Sequence, residues 1–199
     1  MIISLIGFMG CGKSSVGRKL SQLLCCPFID LDEAVEEAAG KSIPEIFASE
    51  GEAAFRRLET QILKDILSAE HERQCAPCEV GRVNETPMTI SAVLALGGGT
   101  VMTEECAELV RKNTCCIYLR ASVNTLLEHL SSNTSNRPLL TRDPHAALQG
   151  AQRRGNPSLH SRIDELMSQR SSTYEKTANI IIDTDGKSID QTCSEIARP

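Results

Sequence analysis

The chain has 199 residues, of which 24% are charged, and a formal net charge of −5 at pH 7. This length predicts one domain over 1–199 with a full core, and the acidic balance excludes the basic surface that nucleic acids need. No apolar run reaches the length of a membrane span, the first predicted strand leaves no room for a signal peptide, and nine cysteines suit a reducing compartment. We therefore expect a cytoplasmic protein that binds neither nucleic acid nor membrane. We also expect a monomer.

The first two predicted elements flank a glycine-rich loop. Residues 1–6 are apolar and predict a buried strand, and residues 7–14 read GFMGCGKS, which matches G-x-x-x-x-G-K-[ST] at every fixed position. Helical spacing then aligns four apolar residues on one face: Val16, Leu20, Leu23 and Leu24. When a glycine-rich loop joins a strand to a helix in this order, its backbone N–H groups and the helix N-terminus can bind phosphate. The sequence therefore predicts that the chain binds a nucleoside triphosphate.

The side chains of this loop have distinct expected roles. Lys13 is expected to reach the β- and γ-phosphates, and the Ser14 hydroxyl is expected to bind Mg²⁺. The loop residues expected to bind ATP are Gly10, Cys11, Gly12, Lys13, Ser14 and Ser15. A glycine-rich turn that matches by chance is the alternative, and the flanking strand and helix argue against it.

Two acids stand at the end of the next predicted strand, at 26–32. Asp30 and Asp32 are two residues apart, so both point the same way if the strand continues that far. One carboxylate can then help to hold Mg²⁺ while the other orients an acceptor hydroxyl. A solvated strand end before an acidic helix is the alternative for this pair taken alone.

The rest of the chain alternates helices with strands. Further strands are predicted at 89–96, 115–120 and 179–183. Further helices are predicted at 33–39, 42–49, 55–67, 103–112, 122–131, 163–174 and 187–197. Two segments lack periodicity and are expected to form a surface insertion, at about 70–88, and a mobile lid, at about 133–159. Five strands alternating with helices predict an α/β P-loop NTPase fold, with a five-stranded parallel sheet that has helices on both faces.

A triple glycine and three arginines are the remaining candidates for binding. Gly97–Gly99 follow a strand at the edge of the sheet where ligands bind in such folds, and their N–H groups can bind an anion; an ordinary flexible turn is the alternative. Guanidinium groups suit a carboxylate or a phosphoryl group. Arg56 lies off the apolar face of its helix, Arg137 lies in the polar lid and Arg170 in the late helix, but periodicity alone does not single out these three.

Several segments, taken in this order, resemble the shikimate kinase family over nearly the whole chain outside the two aperiodic segments. The P-loop alone is shared by many unrelated NTPases, whereas the combination is far more specific. The segments that carry the resemblance are residues 7–18 (GFMGCGKSSVGR), 28–32 (FIDLD), 40–47 (GKSIPEIF), 51–59 (GEAAFRRLE), 96–99 (LGGG) and 137–140 (RPLL).

The resemblance implies a nucleoside monophosphate kinase-like fold and transfer of phosphate from ATP to the 3-hydroxyl of shikimate, on the route to aromatic amino acids. It further implies that Asp32 binds the ring hydroxyls and acts on the attacking one, and that Asp30 holds the Mg²⁺ shell through water. Arg137, with Lys13, would act on the γ-phosphate as the lid closes. Lys187 matches a position near adenine.

The resemblance also implies a shikimate-binding segment at about 31–61. Arg56, Arg170 and the backbone of Gly98–Gly99, with Gly97 beside them, would grip the substrate carboxylate. Phe47 and Phe55 would flank the ring. The chain departs from the family at one point, because the arginine that often stacks on adenine ahead of the lid is replaced by His129 or Leu130.

Two other functions are compatible with parts of the sequence. One is another small-metabolite kinase of the same fold, for gluconate or a nucleoside monophosphate. The other is a non-catalytic nucleotide-binding or regulatory module, in which the full set of Lys13, Ser14, Asp30, Asp32 and Arg137 would have no purpose. The combination of Asp32, Arg56 and Gly97–Gly99 favours a small hydroxylated carboxylate.

Overall fold

The computed structural model describes residues 1–75, 90–131 and 159–197. Within these ranges the strands form a single five-stranded sheet in the order β2-β3-β1-β4-β5, and every neighbouring pair is parallel. The strands are β1 (Ile2–Ile6), β2 (Phe28–Asp30), β3 (Ala92–Ala95), β4 (Thr114–Arg120) and β5 (Ile180–Asp183). Because the strands are parallel, their carboxyl ends lie at one edge of the sheet, where ligands bind in open α/β folds.

The helices connect these strands and cover both faces of the sheet. In chain order they are α1 (Lys13–Leu23), α2 (Leu31–Ala39), α3 (Ile43–Ser49), α4 (Glu52–Cys75), α5 (Glu104–Asn113), α6 (Val123–Ser131), α7 (Leu159–Thr177) and α8 (Ile189–Ile196), with a short 3₁₀ helix at Thr100–Met102. No described helix is both long enough and apolar enough to span a bilayer.

The alternation of side chains along β1 shows how the core divides into two layers, one on each face of the sheet. Ile2 and Ile6 belong to the core cluster under α2, α4 and α5, whereas Ile3 and Leu5 belong to the cluster under α1, α6 and α8. Successive side chains of a strand point to opposite faces, so both faces of this strand are buried. The predicted α/β fold with helices on both faces of a parallel sheet is confirmed.

One predicted strand is shorter than expected, and this changes the position of a candidate residue. The strand ends at Asp30 instead of Asp32, and α2 begins at Leu31, so Asp32 lies in the first turn of a helix. The reason is capping: the Asp30 side chain accepts a hydrogen bond from the Asp32 N–H at 3.1 Å, which satisfies one of the free donors of the helix start. The prediction that both acids lie on one strand is therefore wrong.

The last turns of α4 also differ from the prediction. The helix backbone continues through Cys75, so the first residues of the predicted insertion are helical. Glu, Arg and Gln in this stretch are good helix formers even without an apolar face. The rest of the insertion (76–88) and nearly all of the predicted lid (133–158), with Arg137, lie outside the described residues.

Candidate active site

The glycine-rich loop joins β1 to α1 at the carboxyl edge of the sheet. Gly10 and Gly12 adopt φ angles of +84° and +93°, which lie in the left-handed region that favours glycine. Gly12 is the N-cap residue of α1, so the loop leads directly into a helix N-terminus with its free N–H groups. Lys13 Nζ donates to the carbonyl oxygens of Gly7, at 2.9 Å, and Phe8, at 3.0 Å. The loop therefore has the conformation and the cation that phosphate binding requires.

The end of α6 supports this loop from outside. His129 Nδ1 lies 2.8 Å from the Gly10 carbonyl oxygen, and since a carbonyl only accepts, Nδ1 carries the proton. On the other side of the same peptide, the Cys11 N–H donates to the Phe8 carbonyl oxygen at 3.3 Å. Leu130, which is 1% exposed, packs where a Cβ on Gly10 would lie. The two residues at the position of the family arginine thus contact the P-loop itself.

Ser14 and Asp30, the two predicted metal ligands, are in contact with each other. The Ser14 hydroxyl donates to Asp30 Oδ2 at 2.7 Å, which places a hydroxyl oxygen and a carboxylate oxygen together beside the loop. Mg²⁺ prefers such oxygen ligands and is usually held by one or two protein groups together with substrate phosphates. The two residues fit this ion, because they supply that type and number of ligands. In the part of the chain that the structure describes, no cluster of three or more His, Cys, Asp or Glu side chains competes as a metal site.

Asp32 adjoins the triple glycine and lies near Lys13 of the P-loop. A Cβ on Gly97 would be 2.7 Å from Asp32 Oδ1, so a side chain at this position would displace the carboxylate. Burial raises the pKa of the Asp32 carboxyl from 3.8 to about 6, the neighbouring Asp30 and Glu59 carboxylates contribute to the rise, and Lys13 opposes it. A carboxylate with such a pKa can accept a proton near neutral pH, as a general base must.

Arg56 is held by a buried carboxylate that the sequence analysis did not assign. Arg56 Nη1 donates to Glu59 Oε2 at 2.8 Å, and Glu59 is 1% exposed. The second oxygen, Glu59 Oε1, accepts from the hydroxyl of the fully buried Thr100 at 2.6 Å. A signal for this residue was present, because Glu59 lies four residues after Phe55 and four before Leu63, on the apolar face of α4.

The triple glycine brings Arg56 and Arg170 to the same turn. A Cβ on Gly99 would be 2.6 Å from Arg56 Nη2, and Arg170 Nη1 donates to the Gly98 carbonyl oxygen at 3.2 Å. A Cβ on Gly98 would be 3.2 Å from the backbone nitrogen of Met9, so the turn also packs directly against the P-loop. Two guanidinium groups and a glycine backbone thus meet beside the phosphate-binding loop, an arrangement suited to an anionic substrate.

The aromatic candidates lie next to Arg56. The rings of Phe47 and Phe55 have centroids 4.9 Å apart, and the Arg56 guanidinium carbon lies 5.2 Å from the centre of the Phe55 ring. Phe55 is buried and Phe47 is partly buried. An apolar wall therefore adjoins the polar site.

Lys187 pairs with a residue of the last helix. Its Nζ forms an ion pair with Glu195 Oε2, on α8, at 2.5 Å. The structure brings together seven sequence-predicted residues or stretches: Lys13, Ser14, Asp30, Asp32, Arg56, Gly97–Gly99 and Arg170. Of the other loop candidates, Cys11 is buried and Ser15 is exposed in the first turn of α1.

The fold and the site define a P-loop kinase of small anionic metabolites. The model of the shikimate kinase family matches residues 9–75 and 70–198. The chain belongs to the shikimate kinase family. A shikimate kinase of Chlorobaculum parvum is 36% identical over 197 residues, which are 99% of this chain and 90% of the relative, and one of Dictyoglomus turgidum is 33% identical over 98% of this chain and 94% of the relative.

Two solved structures agree with this assignment. A shikimate kinase from Acinetobacter baumannii in complex with shikimate has a TM-score of 0.76 and 28% identity, covering 98% of this chain and 89% of that chain. The shikimate kinase from Aquifex aeolicus has a TM-score of 0.70 and 29% identity, covering 98% of this chain and 93% of that chain. The resemblance found in the sequence, and the kinase class that it implied, are confirmed.

Proposed function

We propose that this protein transfers the γ-phosphoryl group of ATP to the 3-hydroxyl of shikimate, giving ADP and shikimate 3-phosphate for aromatic amino acid synthesis. One observation carries the proposal: the P-loop, the Asp32 carboxylate and the Arg56 guanidinium all adjoin the same triple glycine. A phosphate site, a base and a carboxylate site within one turn suit a substrate that has both a hydroxyl group and a carboxylate. The similar chain solved in complex with shikimate supports the choice of substrate.

The catalytic step needs a proton acceptor and an aligned hydroxyl. Asp32 would accept the proton of the 3-hydroxyl group while the hydroxyl oxygen forms a bond to the γ-phosphorus of ATP. At the same time, the bond between the γ-phosphorus and the bridging oxygen breaks, and that oxygen leaves as part of ADP. The raised pKa of Asp32, about 6, leaves the carboxylate ionised but basic at neutral pH. Its position in the first turn of α2, fixed by the Asp30 cap, holds it next to the P-loop.

Positive charge on the phosphates would come from three sources. Lys13 would exchange its loop carbonyl partners for β- and γ-phosphate oxygens, and Arg137 of the predicted lid would contact the γ-phosphate. Ser14 and Asp30 would hold Mg²⁺, Asp30 through water, and this ion neutralises phosphate charge during phosphoryl transfer. The loop N–H groups of residues 10–15 would bind the remaining phosphate oxygens.

The substrate carboxylate would bind between the two arginines. Arg56 and Arg170 reach Gly99 and Gly98 respectively, so an anion bound at the N–H groups of this turn would lie within reach of both. Phe47 and Phe55 would flank the ring in the shikimate-binding segment, about 31–61. Planar guanidinium groups bind a carboxylate more specifically than lysine does, which favours a carboxylic acid over a neutral polyol.

The remaining parts of the proposal concern the nucleotide base and the setting of the enzyme. Lys187, which forms an ion pair with Glu195 in the structure, would lie near adenine. The lid at about 133–159 would close over both substrates, and the insertion at about 70–88 would be a surface elaboration. We place the enzyme in the cytoplasm, where ATP and metabolites are found, and we propose that it acts as a monomer.

A coupled assay of ADP release tests the proposal directly. The purified protein is supplied with Mg-ATP and, in separate reactions, with shikimate, gluconate, a nucleoside monophosphate or no acceptor. ADP release that depends on shikimate alone is the expected result. Release with gluconate or a nucleoside monophosphate instead would transfer the assignment to another kinase of this fold. ATP binding without release for any acceptor would indicate a non-catalytic module.

A further inference from the structure

Tyr174 is a buried residue of α7 that the proposed reaction has not yet used. Its side chain is 0% exposed, and its hydroxyl donates to the carbonyl oxygen of Gly98 at 2.5 Å. Arg170 lies one helical turn earlier and donates to the same oxygen at 3.2 Å. Two side chains of one helix face thus converge on one backbone carbonyl of the triple glycine.

Because a peptide bond is planar, the contact at the Gly98 carbonyl also fixes the direction of the Gly99 N–H. The Gly98 carbonyl and the Gly99 N–H belong to one peptide unit, and since the chain has no cis peptide bond among its described residues, they point in opposite directions. A hydrogen bond that draws the carbonyl towards α7 therefore turns the Gly99 N–H away from α7. Gly99 itself adjoins the Arg56 guanidinium.

The two donors to this carbonyl differ in their freedom to move. Tyr174 and Arg170 both donate to it, and a carbonyl oxygen accepts two hydrogen bonds at once. Arg170 is partly exposed and can turn towards a substrate anion, whereas the enclosed Tyr174 ring cannot leave. Burial also raises the pKa of the Tyr174 hydroxyl above its usual value, so this group stays a donor at working pH.

We propose that Tyr174 is a positioning residue: its hydroxyl fixes the Gly98–Gly99 peptide so that the Gly99 N–H is held ready for the substrate carboxylate, while Arg170 is free to bind that carboxylate. This inference rests on the proposed function, because it assumes that the anion bound at the triple glycine is the carboxylate of shikimate. Because its side chain is fully buried, Tyr174 itself would touch neither the substrate nor the nucleotide.

The test compares two tyrosine variants that each lose one buried hydroxyl group. Tyr118 stacks against Tyr174 with ring centroids 5.1 Å apart, is equally buried, and directs its hydroxyl to Ser171 instead of the triple glycine. Tyr174→Phe is expected to raise the KM for shikimate about tenfold, with kcat and the KM for ATP within about twofold, as for a group that serves substrate binding. Tyr118→Phe is expected to leave the KM for shikimate within about twofold.

A substrate analogue separates positioning from general support of the fold. In an analogue with CH₂OH in place of the carboxylate, the anion that the Gly99 N–H would bind is absent, so the KM ratio of Tyr174→Phe to unmodified enzyme is expected to fall below about two. A tenfold ratio that persists with this analogue, or an equal rise in both tyrosine variants, would overturn the proposal.

If Tyr174→Phe loses the native circular dichroism spectrum, and so does not fold, a further variant tests the proposal. Tyr174→3-fluorotyrosine keeps the ring and the hydroxyl but makes the hydroxyl a stronger donor, so the KM for shikimate is expected to fall. A KM that is unchanged or higher in this variant would refute the role of Tyr174. Absence of shikimate-dependent turnover in the unmodified enzyme would instead refute the proposed function itself, so the two failures are distinct.

Discussion

The Arg56 guanidinium and the Glu59 carboxylate are 2.8 Å apart, and Glu59 is almost fully enclosed at 1% exposure. Because the other Glu59 oxygen is held by the Thr100 hydroxyl at 2.6 Å, the carboxylate has little freedom to move. Glu59 therefore holds Arg56, the arginine that we assign to the substrate carboxylate, in position before the substrate binds. Such pre-organisation lowers the entropy cost of binding.

Glu59→Gln is expected to weaken both the fold and substrate binding. The neutral amide cannot compensate the Arg56 charge, so we expect about 1–3 kcal/mol less free energy of unfolding and a KM for shikimate raised about tenfold. Urea denaturation and steady-state kinetics measure the two effects. Glu52→Gln is the matched control, because Glu52 also pairs with Arg56 but at 3.4 Å and with 58% of its side chain exposed. Equal effects from both variants would contradict the special role of Glu59.

Asp32→Asn is expected to lower kcat by about 10²–10⁴-fold, because an amide cannot accept the hydroxyl proton. Binding of ATP, measured by calorimetry, should stay within about twofold, since the P-loop contacts do not involve this side chain. Glu33→Gln is a matched control in the same helix turn, where Glu33 is exposed and pairs with Arg18. Unchanged turnover in Asp32→Asn would remove Asp32 from its catalytic role.

The raised pKa of Asp32 predicts a pH dependence of stability in the ligand-free protein. A carboxyl group with a folded-state pKa of about 6 instead of 3.8 favours the folded state when protonated, and this contribution is lost as the pH rises from about 4 through 6. Two pKa units correspond to about 2–3 kcal/mol. The stability of Asp32→Asn relative to the unmodified protein should therefore rise by about this amount between pH 4 and pH 7, as measured by denaturant titration. An equal difference at both pH values would contradict the pKa.

The contact of His129 with the P-loop predicts an effect on nucleotide binding alone. His129→Ala removes the donor to the Gly10 carbonyl oxygen, and we expect the KM for ATP to rise about three- to tenfold while the KM for shikimate stays unchanged. His129→Asn is the matched control, because its amide nitrogen lies close to the position of Nδ1 and should restore the KM for ATP to within about twofold. If the asparagine variant were as weak as the alanine variant, the hydrogen bond would not be the cause.

Local patterns predicted most of the fold. The P-loop signature, the apolar strands and the helix periodicities identified the five strands of the described residues in order, because each depends on residues near one another in sequence. The end of β2 was the main error, and its signal was present: Asp30 followed by Glu33 three residues later is typical of a helix start. The residues at 28–31 also resemble a strand, and for this reason the strand was predicted to continue beyond Asp30.

Contacts between distant segments were harder to predict. The bond from Tyr174 to Gly98 joins residues far apart in sequence, and that from His129 to Gly10 joins α6 to the P-loop. Neither contact follows from periodicity, which reports on burial and not on the partner. Glu59 was within reach of sequence reasoning, because a charged residue on an apolar helix face indicates a buried ion pair or a functional site.

The position of the new phosphate on the product distinguishes phosphorylation of the 3-hydroxyl of shikimate from every other outcome. The protein is incubated with Mg-ATP and shikimate, and two-dimensional proton–phosphorus NMR of the products shows which ring proton couples to the phosphate. The expected products are ADP and one new phosphate monoester coupled to the proton on carbon 3, with no such product from Asp32→Asn. A phosphate on another hydroxyl group, or no phosphorylated shikimate at all, would contradict it.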